Sequence, residues 1–170
     1  MTEPMLTIEE FTPADADEVL AINAANQPEV GPMDEEKLRL LAAESEAFPV
    51  VRLDGEAVGF AVLLTEGTSY RSPNYRWFEQ RHPRFYYVDR IAFTQAARRR
   101  GLGGELYRRA MARAAEIERP VLCAEVNTIP ANPVSMGFHE RFGFREVARQ
   151  RPYGPDEEVA MLEVSIDAGP

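Results

Sequence analysis

The chain is poor in the residues that build disulfide scaffolds and metal centres: of 170 residues one is cysteine, Cys123, and two are histidine, His82 and His139. A single cysteine excludes an internal disulfide. This donor set argues against a zinc site, so no metal is expected. Long apolar runs are missing too, and nothing approaches the roughly 20 residues needed to span a bilayer. The start, Met1-Thr2-Glu3-Pro4-Met5, is acidic and lacks the basic-then-apolar order of a secretory signal. These absences point to a cytoplasmic protein with no membrane partner. Positive charge is in deficit, with 19 Lys and Arg against 28 Asp and Glu and a formal net charge of -9. That balance argues against a nucleic-acid partner, whose phosphates need a basic surface. It suits a cationic substrate such as an amine, although acidity also serves solubility alone. Among the basic residues only Lys37 is a lysine, which reads as the codon bias of a GC-rich, bacterial genome.

What is present is ordinary globular material. Hydrophobic residues make up 45% and charged residues 28% of the chain, enough for one domain over residues 1–170 with a substantial core. Leu6 to Phe11 reads as a strand. Thr12-Pro13-Ala14-Asp15 opens a helix with a cap, a proline at the first position and an acidic third residue. That helix ends near Asn26-Gln27-Pro28, and Asp34 caps a second one bearing Leu38, Leu41 and Ala42 on one face. Strands Ala47 to Leu53 and Glu56 to Leu64 are joined by Asp54-Gly55, a two-residue hairpin signal. Glu66 to Pro83 reads as a long polar flap studded with Tyr70, Tyr75, Trp77 and Phe78. Then come a strand (Phe85 to Phe93), a helix (Gly101 to Glu118), a strand (Pro120 to Asn127) and a polar turn (Thr128 to Ala131). A short helix (Asn132 to Phe142) closed by Gly143 follows, then strands Phe144 to Gln150 and Glu158 to Ile166. The order βααββ-flap-βαβαββ predicts an α/β domain with a mixed central sheet flanked by helices on both faces.

One segment suggests a ligand. A strand running into Arg98-Arg99-Arg100-Gly101-Leu102-Gly103-Gly104 and then a helix is an anion cradle, because free N–H groups converge at a helix start and the dipole favours negative charge. Glycine permits close approach and positive φ, and the arginines add cationic reach. The bland alternative is glycines that end a strand and let a helix pack closely. No lysine follows the glycines as in a P-loop, and the spacing lacks the G-x-G-x-x-G order of a dinucleotide fold.

Arg98-Arg99-Arg100-Gly101-Leu102-Gly103 resembles the R/Q-x-x-G-x-G/A signature of the GNAT superfamily of N-acetyltransferases. Asn132-Pro133-Val134-Ser135-Met136-Gly137-Phe138-His139-Glu140-Arg141-Phe142-Gly143-Phe144 is similar to its second signature, N-x-x-A-x-x-x-Y-x-x-x-G-F. The resemblance implies that backbone amides of the turn, from Arg98 to Gly104, hold the pyrophosphate of acetyl-CoA. It implies that Ile91-Ala92-Phe93 pairs with the pantetheine arm, and that Asn132, Ser135 and His139 belong to the cofactor side. Thr94-Gln95-Ala96 departs from the family, many members of which carry a proline there.

The larger departure is His139, where the family places a tyrosine as general acid toward the leaving thiolate. Against a thiol pKa of about 8.5, tyrosine titrates near about 10 and histidine near about 6.5. An ordinary histidine is thus only about a quarter protonated at pH 7. His139 either donates a proton, or hydrogen-bonds the sulfur without delivering one, or is a helix-surface residue with no role. A base must also free the attacking amine. Glu125, on the strand Val121-Leu122-Cys123-Ala124-Glu125-Val126, is the first candidate, since burial raises a carboxylate pKa. Its Glu-Val pair resembles the ribosomal-protein alanine acetyltransferases, in which the glutamate is the base, although the following turn is longer here. Asp89 is the rival base, or simply the partner of Arg90. Cys123 reads as a packed small hydrophobe.

The family architecture implies that Asn26, within the loop reaching Pro32, and Tyr70, Tyr75 and Trp77 wall the acceptor. The aromatics could equally pin the flap to the core or to a second copy, which leaves a homodimer open. The expected activity is acetyl transfer from acetyl-CoA to a small-molecule primary amine by direct attack in a ternary complex. The alternatives are a peptide N-terminal acetyltransferase, an acyl-CoA-binding regulator without catalysis, and a plain nucleotide binder.

Overall fold

The computed structural model describes residues Thr2 to Asp167. Its elements are β1 (Leu6–Glu10), α1 (Ala16–Ala25), α2 (Glu35–Glu44), β2 (Pro49–Leu53), β3 (Glu56–Thr65) and α3 (Pro73–Arg81). They continue as β4 (Tyr86–Phe93), α4 (Leu102–Glu116), β5 (Val121–Ile129), α5 (Pro133–Arg141), β6 (Arg145–Gln150) and β7 (Glu158–Ser165). Short 3₁₀ turns stand at Pro13–Asp15 and Gln95–Ala97. The strands form one mixed sheet in the order β1-β2-β3-β4-β5-β7-β6, so the molecule is an α/β protein. Among the described residues no helix is long and apolar enough to cross a membrane. The described residues group into two compact units that interleave in sequence, dividing β4 after Asp89 and α4 after Arg108.

The first unit holds the chain through Leu64 and then Arg90–Arg108. β1 pairs antiparallel with β2, and β2 with β3. The turn between β2 and β3 works because Asp54 and Gly55 both take positive φ, 51° and 86°, as a tight hairpin turn demands. The predicted cap at Thr12 is present: its amide and hydroxyl both donate to the Asp15 carboxylate. Asp34 accepts from the Lys37 amide at the start of α2. Val19, Leu38, Leu41, Val51, Phe60, Val62 and Leu64 are buried. Gly59 earns its place by closeness, since a Cβ there would meet the Phe93 ring at 2.1 Å.

The second unit holds Thr65–Asp89 and the chain from Arg109 on. β4 and β5 pair in parallel, Tyr86 with Leu122 and Tyr87 with Cys123. β5 pairs antiparallel with β7, which sets Cys123 opposite Glu163 and Glu125 opposite Met161. β6 forms the far edge, antiparallel to β7.

Two expectations need correction here. The segment read as a flap contains α3, so the order is βααββαβαβαββ. Ser72 accepts from the Tyr75 amide and Pro73 takes the first helical position, a start signal present in the sequence. Arg76, Glu79, Gln80 and Arg81 made the stretch look polar; Tyr75 and Phe78, one turn apart, are what bury it. The turn expected from Thr128 is instead the end of β5, which runs on to Ile129 because Ile129 still pairs with Glu158 after a register shift.

Candidate functional site

The anion cradle lies in the first unit. β4 ends at Phe93, a 3₁₀ turn covers Gln95–Ala97, and α4 starts at Leu102. Arg99 and Gly101 take positive φ, 63° and 75°. Gly101 has nothing within 4 Å of where a Cβ would stand. Backbone conformation therefore selects glycine there, and the space over the turn stays open. The Glu105 amide closes the first helical bond onto the Gly101 carbonyl at 3.1 Å, leaving the preceding N–H groups without an intrahelical acceptor. Arg98, Arg99 and Arg100 are not buried. This donor set and charge fit a pyrophosphate.

The sequence placed Asn26 on the acceptor wall, but the structure commits its side chain to the cradle. Asn26 is buried, and its Nδ2 donates to the Ile22 carbonyl at 2.8 Å and the Phe93 carbonyl at 3.0 Å. Its Oδ1 accepts from Arg98 Nη2 at 2.8 Å. A buried amide spends its capacity on whatever partners surround it, and here they tie the end of α1 to the end of β4 and the first arginine of the turn. Arg90, buried, donates to Asn23 Oδ1 at 2.9 Å and to the Gly31 carbonyl at 3.0 Å. It thereby fastens the loop between α1 and α2. Ile91 and Phe93 are half-buried and Ala92 is buried.

The second unit contains a carboxylate centre. Glu125, half-buried on β5, accepts from the Tyr87 hydroxyl at 2.7 Å and from Asn74 Nδ2 at 3.4 Å. Burial, then the charges of Glu125 and Asp89, push the Tyr87 phenol well above its ordinary value. Tyr87 therefore stays a protonated donor. Tyr153, largely exposed in the β6–β7 loop, is raised by burial of its phenol and by the same two carboxylates, and it hydrogen-bonds the Ser72 side chain. Asp89 thus shares Glu125's electrostatic neighbourhood. Asn74, Tyr87 and Tyr153 were missed by sequence reasoning. Asn74 and Tyr153 adjoin Pro73 and Gly154 and read as turn chemistry, and Tyr87 reads as one more aromatic of a strand.

The flap aromatics divide. Tyr75 is fully buried; its hydroxyl donates to the Thr65 carbonyl at 2.7 Å, and its ring lies 5.6 Å from those of Phe85 and Tyr87. Tyr70 is buried against Tyr75 at 5.8 Å. Trp77 meets Phe78 edge-on at 5.1 Å and carries the Arg81 guanidinium over its face. Pinning the segment to the core describes Tyr75, which is fully buried and bonded to Thr65; Trp77 is half-buried, and its ring meets residues of its own helix.

His139 is buried on α5 with its ring edge-on to Phe138 and Phe144. Its Nδ1 lies 2.7 Å from the Ser135 carbonyl, an acceptor only, so Nδ1 carries the proton. Burial lowers its pKa, and the bond to Ser135 only partly opposes that. The neutral ring is therefore the resting form. Asn132 accepts from the Ser135 amide at 3.2 Å and caps the helix, which is a local reason for asparagine at the head of the motif.

Elsewhere in the second unit, His82, Cys123 and Glu163 bring ligand atoms within 4.8 Å of one another. Glu163 already accepts from Arg81 at 2.6 Å and His82 at 2.5 Å, bonds that outweigh its burial and hold its carboxyl below the usual range. Burial and the Glu163 charge push the Cys123 thiol well up, so it rests as a thiol, unsuited to nucleophilic attack.

A mixed sheet with a glycine-rich turn leading from a strand into a helix places the chain in the α/β class with a helix start suited to an anion. The match that specifies it is to the acetyltransferase (GNAT) family model, over residues 16–144. The chain belongs to that family, and is an acetyl-CoA-dependent N-acetyltransferase. No curated protein matches its sequence. Among solved structures it is similar to Ard1 from Thermoplasma volcanium (23% identity, TM-score 0.77, covering 95% of this chain and 97% of that one). It is also similar to the ribosomal-protein-S18-alanine N-acetyltransferase from Escherichia coli (18% identity, TM-score 0.73, 98% and 97% covered). A third is Arabidopsis thaliana Naa50 in complex with the bisubstrate analogue CoA-Ac-MVNAL (11% identity, TM-score 0.70, 94% and 98% covered). At these identities the likenesses establish the fold.

Proposed function

We propose that this acetyltransferase acetylates a primary amine by direct attack, with Glu125 as the base and the turn from Arg98 to Gly104 holding the acetyl-CoA pyrophosphate. The observation that carries the reading is the carboxylate of Glu125 bonded to two neutral donors, Tyr87 and Asn74. Such donors stabilise the anion without supplying the full countercharge that would make it a poor base. Glu125 takes a proton from the ammonium; the freed nitrogen attacks the thioester carbonyl, and the C–S bond breaks as the amide forms. The ammonium's remaining surplus proton leaves to solvent, and CoA departs as a thiolate, acceptable for a group of ordinary pKa about 8.5.

For His139 we propose a hydrogen-bonding role without proton delivery. Its one ring proton is given to Ser135 and burial disfavours a second, so the other nitrogen can only accept, for instance from the CoA thiol once solvent has protonated the departed thiolate. Asp89 remains the second carboxylate, acting on charge balance around Tyr87 and Tyr153. We propose a small-molecule acceptor first, because α3 and its aromatic cluster are set close upon Glu125. The second reading, a peptide N-terminus, is favoured by the relatives that act on ribosomal-protein alanine or carry a peptide analogue.

The test is thiol release from acetyl-CoA with a panel of spermidine, histamine, phenethylamine and a peptide beginning with alanine. Turnover of any small amine above the peptide supports the first reading, and the reverse order selects the second. Tight acetyl-CoA binding with no thiol release from any of them would sink the enzymatic reading of this site. The same panel with Glu125→Gln tests the base: full retention of turnover excludes it.

A further inference from the structure

Asn74 is 7% exposed and sits at the second position of α3. Its Nδ2 donates to Glu125 Oε1, and its Oδ1 is buried with no hydrogen-bond partner. The amide cannot be turned to relieve this, because Oδ1 would then face a carboxylate oxygen and set two acceptors together. A buried acceptor left unmet costs free energy that an apolar side chain of the same size would not, so this carbonyl oxygen is one that a donor would stabilise.

Its surroundings restrict that donor. α3 is fixed at its start by Ser72, which accepts from the Tyr75 amide, and Tyr75 is anchored through its hydroxyl to Thr65. The helix is thus held, and Asn74 has little freedom to seek another partner. The Tyr87 hydroxyl already donates to Glu125. A donor that meets Asn74 Oδ1 would stand beside a carboxylate, where a positively charged N–H is the best match.

We propose that Asn74 is an acceptor-binding residue whose side-chain carbonyl takes one N–H of a substrate ammonium while Glu125 takes another. This rests on the reading of Glu125 as the base. It makes the acceptor class a protonated primary amine recognised by its N–H groups as well as by its charge. α3, read from the sequence as flap, becomes the element that orients the attacking nitrogen.

The experiment compares wild type with Asn74→Leu and Glu125→Gln. It uses phenethylamine, or whichever panel amine turns over fastest, together with its N-trimethyl analogue, which keeps the charge and has no N–H. For Asn74→Leu the expected result is an amine KM raised about tenfold, acetyl-CoA Kd unchanged, inhibition by the trimethyl analogue unchanged, and a melting temperature no lower than wild type. An amine KM within about twofold of wild type overturns the proposal, as does a parallel loss of primary-amine and trimethyl-analogue binding, which would mean that Asn74 only shapes the pocket. Should Asn74→Leu not fold, Asn74→Ala carries the same expectation. Glu125→Gln separates the two claims. If it keeps wild-type turnover, the base assignment fails whatever Asn74 does; if it is inactive while Asn74→Leu behaves as wild type, only the role of Asn74 fails.

Discussion

The cradle of the first unit and the carboxylate centre of the second are built on opposite plans. The cradle is backbone: two positive-φ residues, Arg99 and Gly101, and a helix start, all within a few consecutive positions. The centre is side chains: Asn74 from α3 and Tyr87 from β4, which stand 51 and 38 positions before Glu125 of β5. Binding of an invariant group such as a pyrophosphate can be delegated to main-chain geometry. Positioning a proton acceptor needs particular atoms held by tertiary packing.

The contrast breaks hardest at Glu125. Glu125→Gln should lower kcat by roughly 10²–10⁴-fold, the usual worth of a general base, and leave acetyl-CoA Kd unchanged by isothermal titration. Loss of both would mean that the carboxylate also shapes the cofactor side. Gly101→Val should do the reverse. A β-branched residue at φ 75° costs roughly 1–3 kcal/mol, expected to appear as acetyl-CoA affinity weakened about tenfold or more, with the pH dependence of the chemical step retained.

Asn26→Ala sharpens the boundary of the cradle. It withdraws two donors from buried carbonyls and an acceptor from Arg98. Denaturant melts should show about 1–3 kcal/mol of lost stability, with a weaker acetyl-CoA complex and an unaltered amine KM at saturating cofactor. An amine KM that rises instead would restore Asn26 to the acceptor wall.

The smallest effect concerns His139. Its folded pKa lies below the ordinary 6.5, so the unfolded chain binds the extra proton more readily. Its contribution to stability is therefore complete above about 6.5 and is lost as pH falls through the lowered folded value. Glu66, Glu79 and Glu163, held below 4.5, lose theirs only in stronger acid. Melting temperature followed from pH 7.5 to 5 should thus sag first through His139, and His139→Phe should flatten that early slope. An unchanged slope would place the titrating group elsewhere. If the wild-type rate falls with rising pH and His139→Phe abolishes that fall, the proton-donor role returns.

Much of the fold could be read from residue order because its signals are local. The Thr12 capping box, the Asp34 cap and the Asp54-Gly55 turn each depend on residues within a few positions, and each appears as expected. α3 escaped because its cap and proline were outweighed by four polar residues, and its apolar face consists of only two aromatics. The end of β5 escaped because the extension to Ile129 depends on β7, some thirty residues further on.

The sequence by itself determined the family and the glycine-rich turn before α4, since glycine spacing dictates backbone conformation wherever that segment lies. It also nominated Glu125. Only the tertiary structure decided what surrounds Glu125, that Asn26 serves the cradle, and that His139 rests neutral. Hydrogen-bond partners and burial are properties of neighbours in space, and nothing in the spacing of Asn74, Tyr87 and Glu125 along the chain announces that they meet.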